Sequence, residues 1–336
     1  MLGSTAVMTP TLALSALLIL GATPAEQPPP ANLTAHPLVL APGRVVMDYL
    51  GYDPTTRQVW APGGNTGKVF VVDASTEAIR TVDGFATREQ DGRLLGPSSI
   101  TFGSDTAFVG NRADRSVCAV DLKTLRKGAC VTLPDSPDGL AYVETTGEVW
   151  VTTPRSNSLT LLSIRDHVPA ISGKITLEGA PEGYAVAPAD ARFFTNLEDK
   201  SQTLEIDVRS RKVVRSWPDG CGEKGPRGLA VDVGLKAVVV ACTDAVAVFG
   251  LDGSPWDRVG TGAGVDNIDI LPGPLRIYVA AGKAETFQRL ELTSARKLRV
   301  SGRATTSAGV RVVVVSSTGK AFAADSAGGR LLVINP

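Results

Sequence analysis

A repeating unit of about 40–50 residues constrains the fold of this chain more than any other feature. Each copy holds apolar runs of four to six residues, separated by bends rich in Gly, Pro and Asn, as in residues 137–166. These runs are too short for helices, whereas their length and composition are typical of consecutive antiparallel strands. The repeat therefore predicts small antiparallel sheets that follow one another along the chain.

Two independent markers give the same number of copies. The segment Tyr52–Trp60 (YDPTTRQVW) returns two repeats later as Tyr142–Trp150 (YVETTGEVW). The end of the third strand recurs at Asp73, Asp121, Ser163, Asp207, Gly250, Glu291 and Asn335. The start of the first strand recurs at Asp48, Ser98, Asp138, Glu182, Arg227, Asp266 and Val310. Seven four-stranded copies at this period predict an all-β fold, a seven-bladed β-propeller with antiparallel blades.

The strand count also predicts how the ring closes. The last copy ends after its third strand, Arg330–Ile334, and a spare apolar segment, Pro37–Leu40, precedes the first copy. Pairing these two segments would complete the seventh blade and cover edges that otherwise promote aggregation. We therefore expect residues 37–336 to form one propeller closed by an N-terminal strand.

The N-terminal residues suggest export. The apolar block Leu12–Leu20 is too short to span a bilayer but suits a signal peptide, and the small residues Thr23–Ala25 follow it. No Lys or Arg precedes the block, so a disordered tail is the alternative. We expect a signal peptide at residues 1–25, a Pro-rich linker at 26–36, and a secreted or periplasmic protein without a stable membrane insertion.

The charge balance limits the possible partners. The chain has 34 basic and 34 acidic residues and therefore no net charge. This neutrality removes the main electrostatic reason to expect nucleic acid or an anionic membrane as a partner.

Four cysteines, Cys118, Cys130, Cys221 and Cys242, form an even number in a chain that export would expose to oxidation. Cys118 and Cys130 are placed symmetrically about an expected turn near Thr124. Cys221 and Cys242 fall on the same side of the fifth blade. We predict the disulfides Cys118–Cys130 and Cys221–Cys242, with four buried thiols as the alternative.

The bend followed by Val-x-Val-hydrophobic-Asp resembles the YVTN-repeat, or surface-layer-type, β-propellers. It appears in residues 60–73 (WAPGGNTGKVFVVD) and again in residues 108–121 (FVGNRADRSVCAVD). The resemblance covers roughly residues 37–336 and implies a WD40-like architecture. It also implies an exported protein with a binding role, because members of that family are mostly of this kind.

The first-strand starts and the loops between second and third strands share one face of a propeller. Asp48, Asp138, Glu182 and Asp266 should therefore converge at the channel mouth, together with Ser98, Arg227 and Asn267. Carboxylates gathered in this way repel one another unless they are protonated, bridged by Arg227 or neutralised by a cation. Oxygen ligands favour Ca²⁺ or Mg²⁺. We therefore predict a Ca²⁺ site at the four carboxylates, limited in net charge by Arg227. The alternative is that Asp138-Gly139 and Glu182-Gly183 only form turns.

A weaker resemblance concerns the regucalcin and gluconolactonase propellers, in which Glu, Asn and Asp at the strand starts hold a metal ion. Asp138, Glu182 and Asp266-Asn267 occupy comparable positions, and this likeness implies a metal-dependent hydrolase or lactonase. Two features depart from that family. The first strand start carries Asp48 instead of Glu, and the repeat count is seven rather than six.

The loops between second and third strands supply a second group of polar residues: Asn65, Asn111, Arg112, Arg115, Arg155, Asn157, Asn196, Lys200, Lys283 and Arg330. These side chains would suit a polar or acidic ligand, although Asn in such bends also serves positive-φ turns.

Histidine-dependent catalysis is not expected. The only histidines, His36 and His167, lie beside the closing strand and in a hairpin on the far side of a blade. We therefore expect a monomeric binding or scaffold module that takes an unidentified protein or a small polar ligand at the channel mouth. A metal-dependent hydrolase is the alternative. A plugged channel favours the binding module, whereas an open pocket with three or more converging oxygens favours the enzyme.

Overall fold

The computed structural model describes residues 1–5 and 28–336, and this part of the chain forms seven four-stranded antiparallel sheets. The strands of blades 1 to 3 are Gly51–Asp53, Gln58–Gly63, Lys68–Asp73 and Ile79–Val82; Pro97–Gly103, Thr106–Asn111, Ser116–Asp121 and Lys127–Thr132; and Leu140–Val143, Glu148–Thr153, Ser158–Arg165 and Val168–Thr176.

Those of blades 4 to 6 are Pro181–Ala187, Arg192–Leu197, Gln202–Asp207 and Lys212–Pro218; Pro226–Asp232, Ala237–Cys242, Ala245–Gly250 and Pro255–Gly260; and Ile268–Leu271, Arg276–Ala281, Thr286–Leu292 and Leu298–Thr305. Blade 7 contains Val313–Val315, Ala321–Asp325 and Arg330–Ile334, and its outer strand is Ala35–Val39. The predicted seven-bladed propeller is confirmed.

The N-terminal strand closes the ring as predicted. Ala35–Val39 runs antiparallel to Arg330–Ile334, with Pro37 opposite Leu332. The strand begins two residues before the expected Pro37. A further short strand, Ala31–Asn32, adds in parallel to the outer edge of blade 6, so strands also occupy part of the stretch expected as linker. The apolar block of the predicted signal peptide falls in residues 6–27, outside the described residues.

The repeated tryptophan lies in the core between neighbouring blades. Trp60 and Trp150 occupy the second strands of blades 1 and 3, and neither is exposed to solvent. Trp60 packs on Phe102 of the next blade with ring centroids 5.8 Å apart, and Trp150 packs on Phe193 at 5.0 Å. The sequence repeat therefore reflects a repeated contact that joins one sheet to the next.

The repeated aspartate at the end of the third strand fixes the following turn. One carboxylate oxygen of Asp73 accepts backbone N–H groups from Ser75 and Thr76 at 2.9 and 2.7 Å. Asp121 and Asp207 accept in the same way from the turns of blades 2 and 4. These hydrogen bonds favour the ionised carboxylate and lower the pKa of all three aspartates. The aspartate at the end of the Val-x-Val-hydrophobic-Asp pattern therefore stabilises the turn between the third and fourth strands.

Both predicted disulfides are present. Cys118 and Cys130 lie directly opposite each other on the third and fourth strands of blade 2. Cys221 and Cys242 join the loop that leads into blade 5 to the end of that blade's second strand. Two disulfides indicate an oxidising environment such as the one outside the cell.

One hairpin lies outside the seven blades in residues 28–336. Arg88–Gln90 pairs with Arg93–Leu95, and the turn residues Asp91 and Gly92 have φ values of 51° and 71°, as in the hairpin turns typical of Asp-Gly. The hairpin accounts for the longest repeat spacing, between Asp48 and Ser98.

The helices of the described residues are three single 3₁₀ turns, Pro154–Ser156, Pro188–Asp190 and Gly222–Lys224. Within the same residues, no helix has the length and apolar character needed to cross a membrane.

Candidate functional site: the channel mouth

The predicted carboxylates meet at one end of the central channel. Asp48, Asp138, Glu182 and Asp266 line a cavity of about 610 Å³ together with Arg227. We call this cavity the channel mouth. Its remaining charged residues are Arg88, Arg93, Arg112, Arg115, Asp135, Arg155, Glu198 and Arg311. The predicted ring positions Ser98 and Val310 are buried and do not line this cavity.

Glycines after two of the carboxylates allow the blades to approach the axis closely. A Cβ atom on Gly139 would lie 1.9 Å from the Tyr184 ring, and one on Gly183 would lie 2.1 Å from the carbonyl oxygen of Arg227. Asp138 is fixed from its own blade, because its N–H donates to the carbonyl oxygen of Thr152 at 2.9 Å. The Asp-Gly and Glu-Gly pairs therefore place a carboxylate at the mouth and also make room for the next blade.

Three arginines lie between the carboxylates and pair with them. Arg112 contacts Asp48 at 2.6 Å and also binds Asp138. Arg311 lies 3.3 Å from Asp266 and 3.8 Å from Asp48. Ion pairs thus link three first-strand starts across the ring.

The third arginine serves blade 4. Arg227 binds Glu198 and lies 4.0 Å from Glu182. Glu198 and Arg311 were not predicted as site residues. Arg311 directly follows the ring position Val310, so the repeat register alone points to its neighbourhood.

Burial and mutual repulsion change the protonation of the mouth. The pKa of Glu182 rises to about 9, first because of burial and then because of the charges on Asp138 and Glu198. Burial also raises the pKa of Asp266 to about 6 and raises that of Asp138. Burial acts to lower the pKa of Arg112, but the negative charges of Asp48 and Asp138 raise it above its ordinary value. At neutral pH, Glu182 is therefore protonated and Arg112 is charged.

Two tyrosines separate the channel mouth from a second cavity nearer the opposite face. The hydroxyl of Tyr49 donates to Asp138 at 3.2 Å, and its ring lies 5.8 Å from that of Tyr184. Both tyrosines line the second cavity, of about 580 Å³, whose other walls are mostly apolar residues of the inner strands, and this cavity shares no lining residue with the mouth. The channel is therefore plugged in the middle by aromatic side chains.

Three of the predicted ligand-binding asparagines hold the chain's own loops. The side-chain amide of Asn65 donates to the carbonyl oxygen of Arg44, that of Asn111 to Ala86, and that of Asn196 to Arg227, at 2.8, 3.1 and 2.9 Å.

Of the remaining predicted ligand-binding residues, some line the channel mouth and others do not. Asn267 accepts the N–H of Ile268. Arg112 and Arg155 face the channel mouth, and Ser98 lines a neighbouring cavity of about 500 Å³.

In residues 1–5 and 28–336, no three acidic, histidine or cysteine side chains are grouped so that they could hold a metal ion. The histidines lie in other contacts. His36 binds Glu77 at 2.8 Å and His167 binds Thr106 at 2.7 Å.

Comparison with known proteins supports the fold alone. No protein-family model matches the chain, and no curated protein matches it. A chain from the "Crystal Structure of Mitotic Checkpoint Complex" is similar with a TM-score of 0.74 at 13% identity, over 97% of this chain and 98% of that chain. The RRP9 WD40 repeats are similar with a TM-score of 0.72 at 11% identity, over 91% of this chain and 98% of that chain. A chain of Kuenenia stuttgartiensis hydrazine synthase is similar with a TM-score of 0.72 at 15% identity, over 94% of this chain and 99% of that chain.

Proposed function

We propose that this protein is an exported, non-enzymatic binding module whose partner docks at the channel mouth. The observation that carries the proposal is the plug that Tyr49 and Tyr184 form beneath the mouth, a cavity of about 610 Å³. The carboxylates of the mouth are also paired with arginines of the chain itself. A cavity of this size is within the range of ligand sites. Because the channel is plugged, it offers no passage through the ring, and the mouth remains as a surface for recognition.

The similar solved structures include chains named for a mitotic checkpoint complex, for WD40 repeats and for a hydrazine synthase. At 11–15% identity they show that the propeller fold occurs both in assemblies and in an enzyme, so the proposal rests on the mouth itself. The finer family proposal is a YVTN-repeat propeller, supported by the recurring Val-x-Val-hydrophobic-Asp motif at residues 60–73 and 108–121.

Export is supported by the two disulfides and by the apolar block Leu12–Leu20. The intact mass of the mature protein tests it, since removal of the proposed signal peptide would leave a chain that begins after Ala25. A mature chain that retains Met1 would contradict export by this route.

Site-specific photo-crosslinking tests the binding proposal. A photoreactive amino acid is placed at Ser136, which lines the channel mouth, and as a control at Glu144, in the turn on the opposite face. In the protein's native environment, the Ser136 probe should give a discrete cross-linked species and the Glu144 probe should not. Equal cross-linking from both positions, or cross-linking from Glu144 alone, would contradict the proposal.

The second candidate is a metal-dependent hydrolase with Ca²⁺ at Asp48, Asp138, Glu182 and Asp266. Its support is that these four carboxylates line one open cavity, the arrangement expected of the enzyme. The raised pKa of Glu182 counts against it, because the protonated acid is a weaker ligand for a cation than a carboxylate. The binding module is favoured over it because Arg112, Arg227 and Arg311 already supply positive charge among the carboxylates. Thermal melts of the protein in calcium and in chelator distinguish the metal-dependent hydrolase from the binding module. A midpoint raised by calcium in the wild type, but not in an Asp138→Asn, Glu182→Gln variant, would establish the metal site.

A further inference from the structure

Four arginines at the channel mouth have no acidic partner within residues 28–336. Arg88 and Arg93 lie on the extra hairpin, and Arg115 and Arg155 lie in loops of blades 2 and 3. Arg115 donates only to the carbonyl oxygen of Pro134, at 3.2 Å. All four are exposed. We call them the arginine arc, since they occupy the sector of the mouth from blade 1 to blade 3.

The hairpin directs its arginines toward the mouth. Arg88 is opposite Leu95 and Gln90 is opposite Arg93. Because side chains alternate along a strand, these four share one face of the hairpin, and all four line the cavity. The hairpin is a separate two-stranded sheet outside the seven blades, and it places Arg88 and Arg93 at the mouth.

The deeper charges do not neutralise the arc. Arg112, Arg227 and Arg311 already bind the carboxylates below it. Glu182 is protonated at neutral pH, because burial raises its pKa to about 9. Asp135, the other carboxylate at this level of the mouth, accepts the N–H of Ser136 and forms no ion pair with the arc. The arc therefore presents four guanidinium groups against one carboxylate, and their planar donors match carboxylates in two parallel hydrogen bonds.

The shape of the site favours an extended ligand. The neighbouring cavity of about 500 Å³ lies along the same hairpin and shares Asp48, Arg93, Leu95, Arg112 and Arg311 with the mouth. The two cavities are therefore neighbours along the hairpin, and an extended ligand can contact the lining of both. We propose that the arginine arc binds an acidic peptide segment of a partner protein, with at least two carboxylates in contact with Arg88, Arg93, Arg115 or Arg155. This inference rests on the proposed function and specifies its ligand.

Calorimetric titration of the full chain tests the inference with hexaglutamate, hexalysine and citrate as probes. Hexaglutamate should bind one to one, more weakly as salt is raised, and hexalysine should not bind. An Arg88→Gln, Arg93→Gln variant should lose at least about tenfold in affinity, since each lost guanidinium removes a charge-assisted contact. A matched Lys123→Gln, Arg209→Gln variant removes two exposed cations from turns on the opposite face and should bind like the wild type.

Three results would overturn the inference. They are no binding of hexaglutamate, equal binding by the two double variants, or binding of citrate without hexaglutamate, which would make a small anion the ligand. Circular dichroism of each variant confirms that it is folded. If these titrations fail while Ser136 still cross-links to a partner, the acidic ligand is refuted and the binding module stands. If neither gives a signal, both are refuted.

Discussion

At the scale of residues, the main feature of the channel mouth is that Glu182 is protonated at neutral pH. Its carboxyl group is surrounded by Asp48, Asp138, Glu198 and Asp266, and the facing cation, Arg227, is 4.0 Å away and binds Glu198 more closely. Burial under these conditions favours the neutral acid. Such a group is maintained at a cost to stability, because the unfolded chain ionises it freely at neutral pH.

Replacement of Glu182 by Gln should stabilise the protein in a pH-dependent way. The folded pKa of about 9 lies above the ordinary value of 4.5. Between these values the unfolded state binds fewer protons, so wild-type stability falls as pH rises. Glutamine keeps the neutral form at every pH. The excess of the variant's melting midpoint over that of the wild type should therefore grow from about pH 5 to about pH 9.

Thermal melts over this pH range, monitored by circular dichroism, provide the measurement. Glu144→Gln is the matched control, because Glu144 is an exposed glutamate in a turn on the opposite face. Its difference from the wild type should stay constant with pH. A constant difference for Glu182→Gln as well would show that Glu182 is ionised in the folded protein.

The sequence predicted which carboxylates meet, because equivalent positions in a repeat lie at the same radius of the ring. This reasoning placed Asp48, Asp138, Glu182 and Asp266 correctly at one cavity. It could not predict their pairing with Arg112 and Arg311. Such pairing depends on the side-chain conformations of long arginines and on distances between blades, and neither is encoded in repeat spacing.

At the scale of elements, the hairpin at residues 88–95 shows what periodicity misses. Its sequence, REQDGRLL, lacks the apolar runs of four to six residues that marked the blade strands. Both of its strands are largely exposed, so burial does not require apolar residues there. Asp91-Gly92 was the available signal, since this pair favours two-residue hairpin turns. The second and third strands of the blades were predictable because they are buried between neighbouring sheets.

The two disulfides should contribute unequally to stability. They close loops with sequence separations of 12 and 21 residues, and chain entropy gives about 3 kcal/mol for loops of this size. Cys221 and Cys242 are both buried, whereas Cys130 is exposed. Removing the Cys221–Cys242 pair should therefore also lose buried packing.

Urea unfolding of the Cys118→Ala, Cys130→Ala and Cys221→Ala, Cys242→Ala variants measures these contributions. We expect a loss of about 3 kcal/mol in the free energy of unfolding for the first variant and a larger loss for the second. A larger loss for the blade 2 pair would mean that packing around Cys221 and Cys242 adds nothing to loop closure.

At the scale of the whole molecule, the ring gives its two faces different chemistry. The mouth face gathers the charged first-strand starts and the loops between second and third strands. On the opposite face, the turns of blades 1, 2 and 4 have aspartates that accept hydrogen bonds from their own backbone. With the channel plugged between the faces, binding at one face needs no passage to the other. The central claim is that the mouth face is the recognition surface.

Hydrogen exchange of the full chain with and without hexaglutamate tests this claim most directly. Binding should slow exchange in the hairpin at residues 88–95 and in the loops at residues 134–138 and 154–157. Exchange in the opposite turns, at residues 122–126 and 208–211, should not change. Protection of those turns instead of the mouth, or unchanged exchange throughout under conditions in which hexaglutamate is bound, would contradict the account.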